Sequence, residues 1–98
     1  MFEWDDANIG HIAKHKISPE EAEQVIENNP LDLPYQFVNG EERTVHLGET
    51  KAGRILFVVA TTRDEMIRVV TAFPPDKSVR KFYLEQKAAE NGENSRDP

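Results

Sequence analysis

Apolar side chains alternate with polar ones through the middle of the chain. From Leu31 to Phe37 they recur at every second position, which predicts a strand, and Pro34 within it favours a sheet edge. Asn39-Gly40 predicts a hairpin turn into a partner strand. A nearly continuous apolar run follows, rich in β-branched residues and typical of a strand buried on both faces. The predicted strands are residues 31–37, 43–48, 54–61 and 66–73.

Helical spacing replaces this alternation before the first strand. Asp5 stands in N-cap position before Ile9 and Ile12, which are spaced for one helix face. Ser18 begins a second helix, with Glu21 three residues on, as in a capping box. The sequence therefore predicts two short helices ahead of the strands.

A third helix is predicted after the last strand. Pro74-Pro75-Asp76 stops that strand and caps a helix from about Lys77 to Ala89. The predicted fold is α+β, with two N-terminal helices, a four-stranded antiparallel meander sheet and a C-terminal helix. Residues 1–89 form one domain, and the polar residues 90–98 are expected to be a disordered tail.

The only tryptophan lies at the N-terminus, where most domains are frayed. A large aromatic ring there predicts that the terminus is docked into the fold. We expect Trp4 to be buried against the sheet or the second helix.

Composition limits the classes of function. The 98 residues include no cysteine, which excludes disulfides and thiolate chemistry and fits a reducing cytoplasm. No apolar run approaches the ~20 residues of a membrane span and no secretory signal is present, so we expect no membrane partner. His11, His15 and His46 lack the local spacing of metal ligands. We therefore expect neither metal nor cofactor, although two histidines and a carboxylate would suffice for zinc.

Charge is unevenly distributed along the chain. The net charge is −6, but residues 1–49 hold 11 acids and 3 bases, and residues 51–87 hold 4 acids and 8 bases. Affinity for phosphates depends on local basic surface more than on the total. The second half of the chain could therefore face RNA, although a solvated mixture of charges would give the same count.

Two N-terminal motifs resemble a known family. Phe2-Glu3-Trp4-Asp5 leads to Lys14-His15, and then to Ser18-Pro19-Glu20-Glu21-Ala22. This order resembles the BrnT family of small bacterial toxins, which are ribonucleases of type II toxin–antitoxin pairs. The resemblance extends to about Tyr83 and implies a RelE-like fold, a messenger-RNA substrate and a small DNA-binding antitoxin as partner.

The resemblance also implies site residues. Arg43 follows a pair of glutamates as in the family, and Arg68 lies in a strand similar to the family's Ile-Arg-Ile-Ile-Ser-Ala. Arginine suits phosphate because its planar fork donates two parallel hydrogen bonds. Histidine, tyrosine or a carboxylate can move the protons of a metal-free ribonuclease. The candidate catalytic residues are Arg68, Arg80, Tyr83 and His15, and the candidate RNA-binding residues are Arg43, Lys14, Lys77 and Lys81.

Two positions depart from the family pattern. Phe73 stands where the family has an arginine, and Val79 where it has a glutamate directly before the helix arginine. The first change removes a phosphate clamp and the second a general acid or base. The expected function is a toxin-family protein with a weakened or lost ribonuclease site; the alternative is a non-catalytic interaction module or orphan domain.

Each candidate also has a purely structural interpretation. Tyr83 shares an apolar stripe with Val79 and Phe82, which favours core packing. Arg68 could pair with a helix carboxylate such as Glu21, and His15 could be a helix C-cap.

Overall fold

The computed structural model of the protein describes the backbone of residues 1–96 and the side chains of residues 1–90. In chain order the elements are β1 (Phe2–Glu3), α1 (Asp6–Ala13), α2 (Pro19–Glu27), β2 (Leu31–Val38), β3 (Glu41–Glu49), β4 (Ile55–Arg63), β5 (Met66–Phe73) and α3 (Lys77–Arg96). This confirms the α+β class, the two N-terminal helices and the C-terminal helix. None of the described helices is long and apolar enough to cross a membrane.

Side-chain caps define where the first two helices begin. The Asp5 carboxylate accepts hydrogen bonds from the backbone N–H groups of Ala7 and Asn8, and the Asn8 side chain accepts one from the Asp5 N–H. Ser18 and Glu21 exchange the same pair of bonds at the start of α2. These bonds confirm both predicted N-caps. Each cap satisfies backbone N–H donors that have no partner within the helix.

The last helix begins where predicted and runs further. The Asp76 Oδ1 atom accepts a hydrogen bond from the Val79 N–H, 2.9 Å away. From Lys77 the helix continues to Arg96, seven residues beyond the expected end at Ala89. The expected disorder of residues 90–98 stays a prediction, and residues 97–98 lie outside the described part of the chain.

The sheet has one strand more than predicted. Its order is β1-β5-β4-β3-β2, and β2 to β5 form the antiparallel meander. The prediction of a four-stranded sheet is wrong because β1 pairs in parallel with β5, placing Phe2 opposite Ile67 and Glu3 opposite Arg68. Two residues are too few to show a period, so no pattern in the sequence marks this strand.

Helix α1 continues the cover of the β5 edge beyond β1. The Asn8 side chain is buried, and its Nδ2 atom donates to the carbonyl oxygens of Glu3 at 3.0 Å and Val69 at 3.2 Å. An uncovered edge would offer unpaired backbone groups to other chains. Through its two hydrogen bonds, Asn8 connects α1 to β1 and β5 and helps to cover this edge.

Apolar side chains pack on both faces of the sheet. On one face, Leu56 and Val58 of β4 pack with Ile12 of α1 and Val25 of α2. On the other, Leu47, Ile55 and Tyr83 form a second cluster against α3. The prediction that the third meander strand is buried on both faces is confirmed, since its alternate residues enter different clusters.

A single arginine ties the α1–α2 connection to β4. The Arg54 Nη1 atom donates to the Lys16 carbonyl oxygen at 2.8 Å and to Glu21 Oε2 at 3.1 Å, and Nη2 donates to the His15 carbonyl oxygen at 3.3 Å. Glu21 thus completes the α2 cap and holds this guanidinium at the same time. The bonds of Arg54 to the α1–α2 connection and to Glu21 therefore hold both helices against the start of β4.

Trp4 is half-buried rather than fully buried. Its ring packs against the cluster under α1 and α2, and its Nε1 atom donates to Glu23 Oε2 of α2 at 2.7 Å. The expected docking of the terminus against the second helix is therefore present, although burial of the ring is incomplete.

Replacement of Trp4 tests how much this docking stabilises the fold. Trp4→Ala should lower the free energy of unfolding by about 3 kcal/mol, the lower end for a tryptophan because burial is incomplete. Trp4→Phe should cost about 1 kcal/mol because it removes the hydrogen bond to Glu23. Chemical denaturation measures both, with Tyr35→Ala, an exposed aromatic, as the control. Equal stability of Trp4→Ala and the control would show that the N-terminal motif contributes nothing.

Candidate functional site

A polar cleft of about 210 Å³ lies between α1 and the adjoining ends of β3, β4 and β5. Its polar lining is made by Asn8, His11, Arg43, Thr61, Arg63 and Arg68, together with Glu41. Three guanidinium groups in one small cleft are suited to binding an anion with several oxygens. Their present partners decide how much of that capacity is free.

Two of these arginines share one carboxylate. The Arg43 Nε atom lies 3.3 Å from Glu41 Oε1, and the Arg63 Nη2 atom lies 3.2 Å from Glu41 Oε2. Hydrogen bonds from Arg63, and then from Arg43, hold the pKa of Glu41 below its ordinary value. Glu41 therefore occupies the space between two guanidinium groups as a resident anion.

Arg68 is held by the N-terminal segment. Its Nη1 atom lies 2.9 Å from Asp5 Oδ2 and its Nη2 atom 3.1 Å from Asp5 Oδ1, with Glu3 Oε1 at 3.5 Å. The hydrogen bond to Arg68 is the main cause of a lowered pKa of Asp5, and it raises the pKa of Arg68 in turn. The expected pairing of Arg68 with Glu21 is wrong, because Glu21 bonds Arg54 instead.

Arg43 and Arg68 line one cleft, but Arg80 does not. Arg80 lies with Lys77 and Lys81 along a separate depression on the exposed side of α3. The three candidate arginines of the sequence analysis therefore do not share one cleft. Arg68 forms ion pairs with Glu3 and Asp5, which lie more than 60 residues earlier in the chain. Arg80 lies on α3 and lines a different depression.

Tyr83 is a core residue. Only 1% of its surface is exposed, and its hydroxyl donates to Glu49 Oε1 at 3.0 Å. Burial, followed by that bond, raises the pKa of Tyr83 to about 12. Its place in the cluster with Leu47, Ile55 and Val79 fits the core-packing interpretation, and its hydroxyl is out of reach of a substrate.

His15 and Lys14 lie at the C-terminal end of α1, outside the lining of the polar cleft. The His15 ring centroid is 6.2 Å from that of Phe73, which in turn is 5.2 Å from Phe57. Both the His15 and the Lys14 side chains are exposed. Phe73 therefore stands between His15 and the apolar surface of the sheet.

An apolar groove of about 600 Å³ continues from the cleft across the same side of the sheet. Arg43 lines both hollows, while Val45, Phe57, Val59 and Phe73 line the groove alone. A ligand with both phosphate and flat apolar groups would find both kinds of surface side by side.

Two features of this region were not predicted from the sequence. His11 and Arg63 line the cleft, although only their place on α1 and at the end of β4 brings them there. His46 bonds Asp32 Oδ1 through Nδ1 at 2.7 Å and Thr44 Oγ1 through Nε2 at 3.0 Å, so both ring nitrogens are engaged. Within the described part of the chain, no group of three acids or histidines is placed to hold a metal ion.

Comparison with known proteins extends the resemblance seen at the N-terminus. The family model for the ribonuclease toxin BrnT of type II toxin–antitoxin systems matches residues 4–78. The match includes Arg43 and Arg68 and ends in the first turn of α3, before Arg80 and Tyr83. No curated protein matches the chain at a significant level.

Acid should weaken the fold in part through Asp5 and Glu41, the carboxylates that bond the cleft arginines. The pKa values of Asp5 and Glu41 are lowered in the fold, so their contribution is complete above their ordinary pKa values and is lost as pH falls through the lowered ones. We expect the free energy of unfolding to hold to about pH 5 and to decrease below about pH 4.

Arg68→Met identifies the Asp5 part of this effect. The variant should be less stable at neutral pH and should lose less on acidification, because the bond that lowers the Asp5 pKa is gone. The slope should not vanish, since backbone N–H groups also bond Asp5. Urea denaturation between pH 7 and pH 3 measures it, with Arg80→Met as the matched control. Parallel profiles for Arg68→Met and the wild type would contradict this assignment.

Proposed function

The chain belongs to the BrnT family of ribonuclease toxins of type II toxin–antitoxin systems. From this membership we propose that it is an antitoxin-controlled, RNA-binding protein whose ribonuclease site is weakened or lost. Its place of action would be the cytoplasm, where messenger RNA is found, and its fold would be RelE-like.

The environment of Phe73 carries this proposal. The resemblance assigns an arginine to this position, at the end of β5. Here the phenyl ring contacts Phe57 and lies near His15. A ring packed in this way can neither bind a phosphate nor stabilise the charge that develops during cleavage.

Val79 supports the same conclusion on α3. The resemblance assigns a glutamate here, whereas Val79 packs against the cluster of Leu47, Ile55 and Tyr83. A carboxylate could transfer protons at this position, and an isopropyl group cannot. Both departures thus replace a reactive group with an apolar contact.

The cations that remain support binding of RNA. Lys77, Arg80 and Lys81 are exposed on α3, and none of them makes an ion pair with any described side chain. Lys14 is exposed at the end of α1. Arg43 and Arg68 would add contacts only when a phosphate displaces Glu41 or Asp5.

Expression of the unmodified protein alone should cause little or no growth arrest. Purified protein should cleave messenger RNA far more slowly than its own Phe73→Arg/Val79→Glu variant, since each such group supplies on the order of a hundredfold. Gel electrophoresis of a defined transcript measures cleavage. Because both positions pack against apolar clusters, thermal unfolding of each variant must be followed in parallel.

Three outcomes distinguish a weakened ribonuclease site from an active site and from a non-catalytic interaction module. Strong cleavage by the unmodified protein, abolished by Arg80→Ala, would contradict a weakened site. A folded double variant that still does not cleave would favour the non-catalytic interaction module. Growth arrest by the double variant, relieved by a co-expressed antitoxin, would support the proposal.

RNA affinity should depend mainly on α3. Lys77→Ala/Lys81→Ala should weaken binding of a single-stranded oligonucleotide and reduce the slope of log affinity against log salt by about 0.7 for each phosphate that is no longer neutralised. Fluorescence anisotropy over a range of salt concentrations measures both. Lys51→Ala, an exposed lysine on the turn after β3, is the matched control. An unchanged salt slope in the double variant would exclude α3 from the RNA surface.

A further inference from the structure

The strand β2 forms a free edge of the sheet. Sheet order ends at β2, and no described element pairs with its outer side. Its pairing with β3 shifts register between Leu33 and Gln36, beside Pro34. A free edge offers backbone donors and acceptors to an added strand.

Two aromatic rings are exposed on this edge strand. Tyr35 is 59% exposed and Phe37 66%, and their rings meet edge to face with centroids 5.7 Å apart. Such a pair presents apolar area together with a face that attracts cations. Nothing in the described structure covers it.

The surface beside these rings is acidic. Two open hollows of about 400 and 370 Å³ share Glu42 and Thr44, and Tyr35 lines the larger. The other carboxylates in their linings are already engaged, Asp32 by His46 and Glu41 by two arginines, and neither lining includes a lysine or an arginine. Glu42 makes no ion pair with any described side chain, and the side chain of Asp32 is 76% exposed.

We propose that the Tyr35–Phe37 pair and the adjoining carboxylates bind a basic, extended segment of a protein partner, which adds as a strand to the free edge of β2. In a strand, alternate side chains point to the same face. Lysine or arginine at alternate positions would then reach the aromatic rings and Glu42 together.

Charge favours this occupant over RNA. The linings of these hollows offer a phosphodiester chain carboxylates and neither lysine nor arginine, although aromatic rings alone suit base stacking. Strand addition at this edge does not require the protein to cleave or bind RNA. It concerns β2, whereas the proposed RNA surface is on α3.

A charged peptide pair tests the proposal directly. The probe is an octapeptide of four Lys-Val repeats, matching the eight residues of β2, and its control is four Glu-Val repeats. Only the Lys-Val peptide should bind the full-length protein, with NMR amide shifts concentrated in residues 31–38 and 41–44. Tyr35→Ser/Phe37→Ser should weaken its binding about fivefold or more, and Glu42→Gln about twofold.

Phe82→Ser is the matched control, because Phe82 is a 45% exposed aromatic on α3. It should leave peptide affinity unchanged. Equal affinity of the Tyr35/Phe37 double variant, or shifts spread evenly over other acidic surfaces, would overturn the proposal. So would an oligouridine that shifts residues 31–38 in place of the peptide. Failure of RNA binding at α3 would leave the expected peptide shifts unchanged, so the two proposals fail separately.

Discussion

The bidentate pair between Asp5 and Arg68 connects the N-terminal segment to the sheet. The same carboxylate that bonds both guanidinium nitrogens also caps α1 through two backbone N–H groups. The Asp5 side chain therefore caps the start of α1 and, through Arg68, helps to hold β1 and α1 beside the β5 edge. Arg68, one of the three arginines that line the cleft, is thus already engaged by a carboxylate of the same chain. A phosphate bound at Arg68 would have to displace the Asp5 carboxylate.

Internal pairing of this kind changes how the charge of the chain should be interpreted. Residues 51–87 hold eight bases, of which Arg54, Arg63, Arg68 and Lys87 form ion pairs. Half of the bases that suggested a nucleic-acid surface are thus used in holding elements together. The exposed remainder lies mostly at the start of α3, where positive charge is unfavourable to the helix dipole. This cluster therefore does not stabilise the start of α3, and it is the surface to which we assign RNA binding.

Local signals predicted most of the fold, and long-range contacts account for what was missed. The Ser18–Glu21 capping box and the Asn39-Gly40 turn depend on residues a few positions apart, so the sequence shows them directly. Arg68 and Asp5 are 63 residues apart, and no spacing rule links them. Chemical type made the arginines candidates for binding phosphate, but only the folded chain shows that Arg43 and Arg68 share a cleft and that Arg80 lines another depression.

Phe73 and Val79 affect both the packing of the fold and the proposed loss of ribonuclease activity. An arginine at position 73 would extend from the edge of the Phe57 surface, and a glutamate at 79 would place a charge against the Tyr83 cluster. Each would exchange packing for a partly desolvated charge, which is costly without a partner. A site that keeps such groups needs compensating contacts, and here Phe73 packs on Phe57 and Val79 on the Tyr83 cluster. The proposed strand addition at β2 involves neither position, so a loss of catalysis through Phe73 and Val79 would leave that surface unchanged.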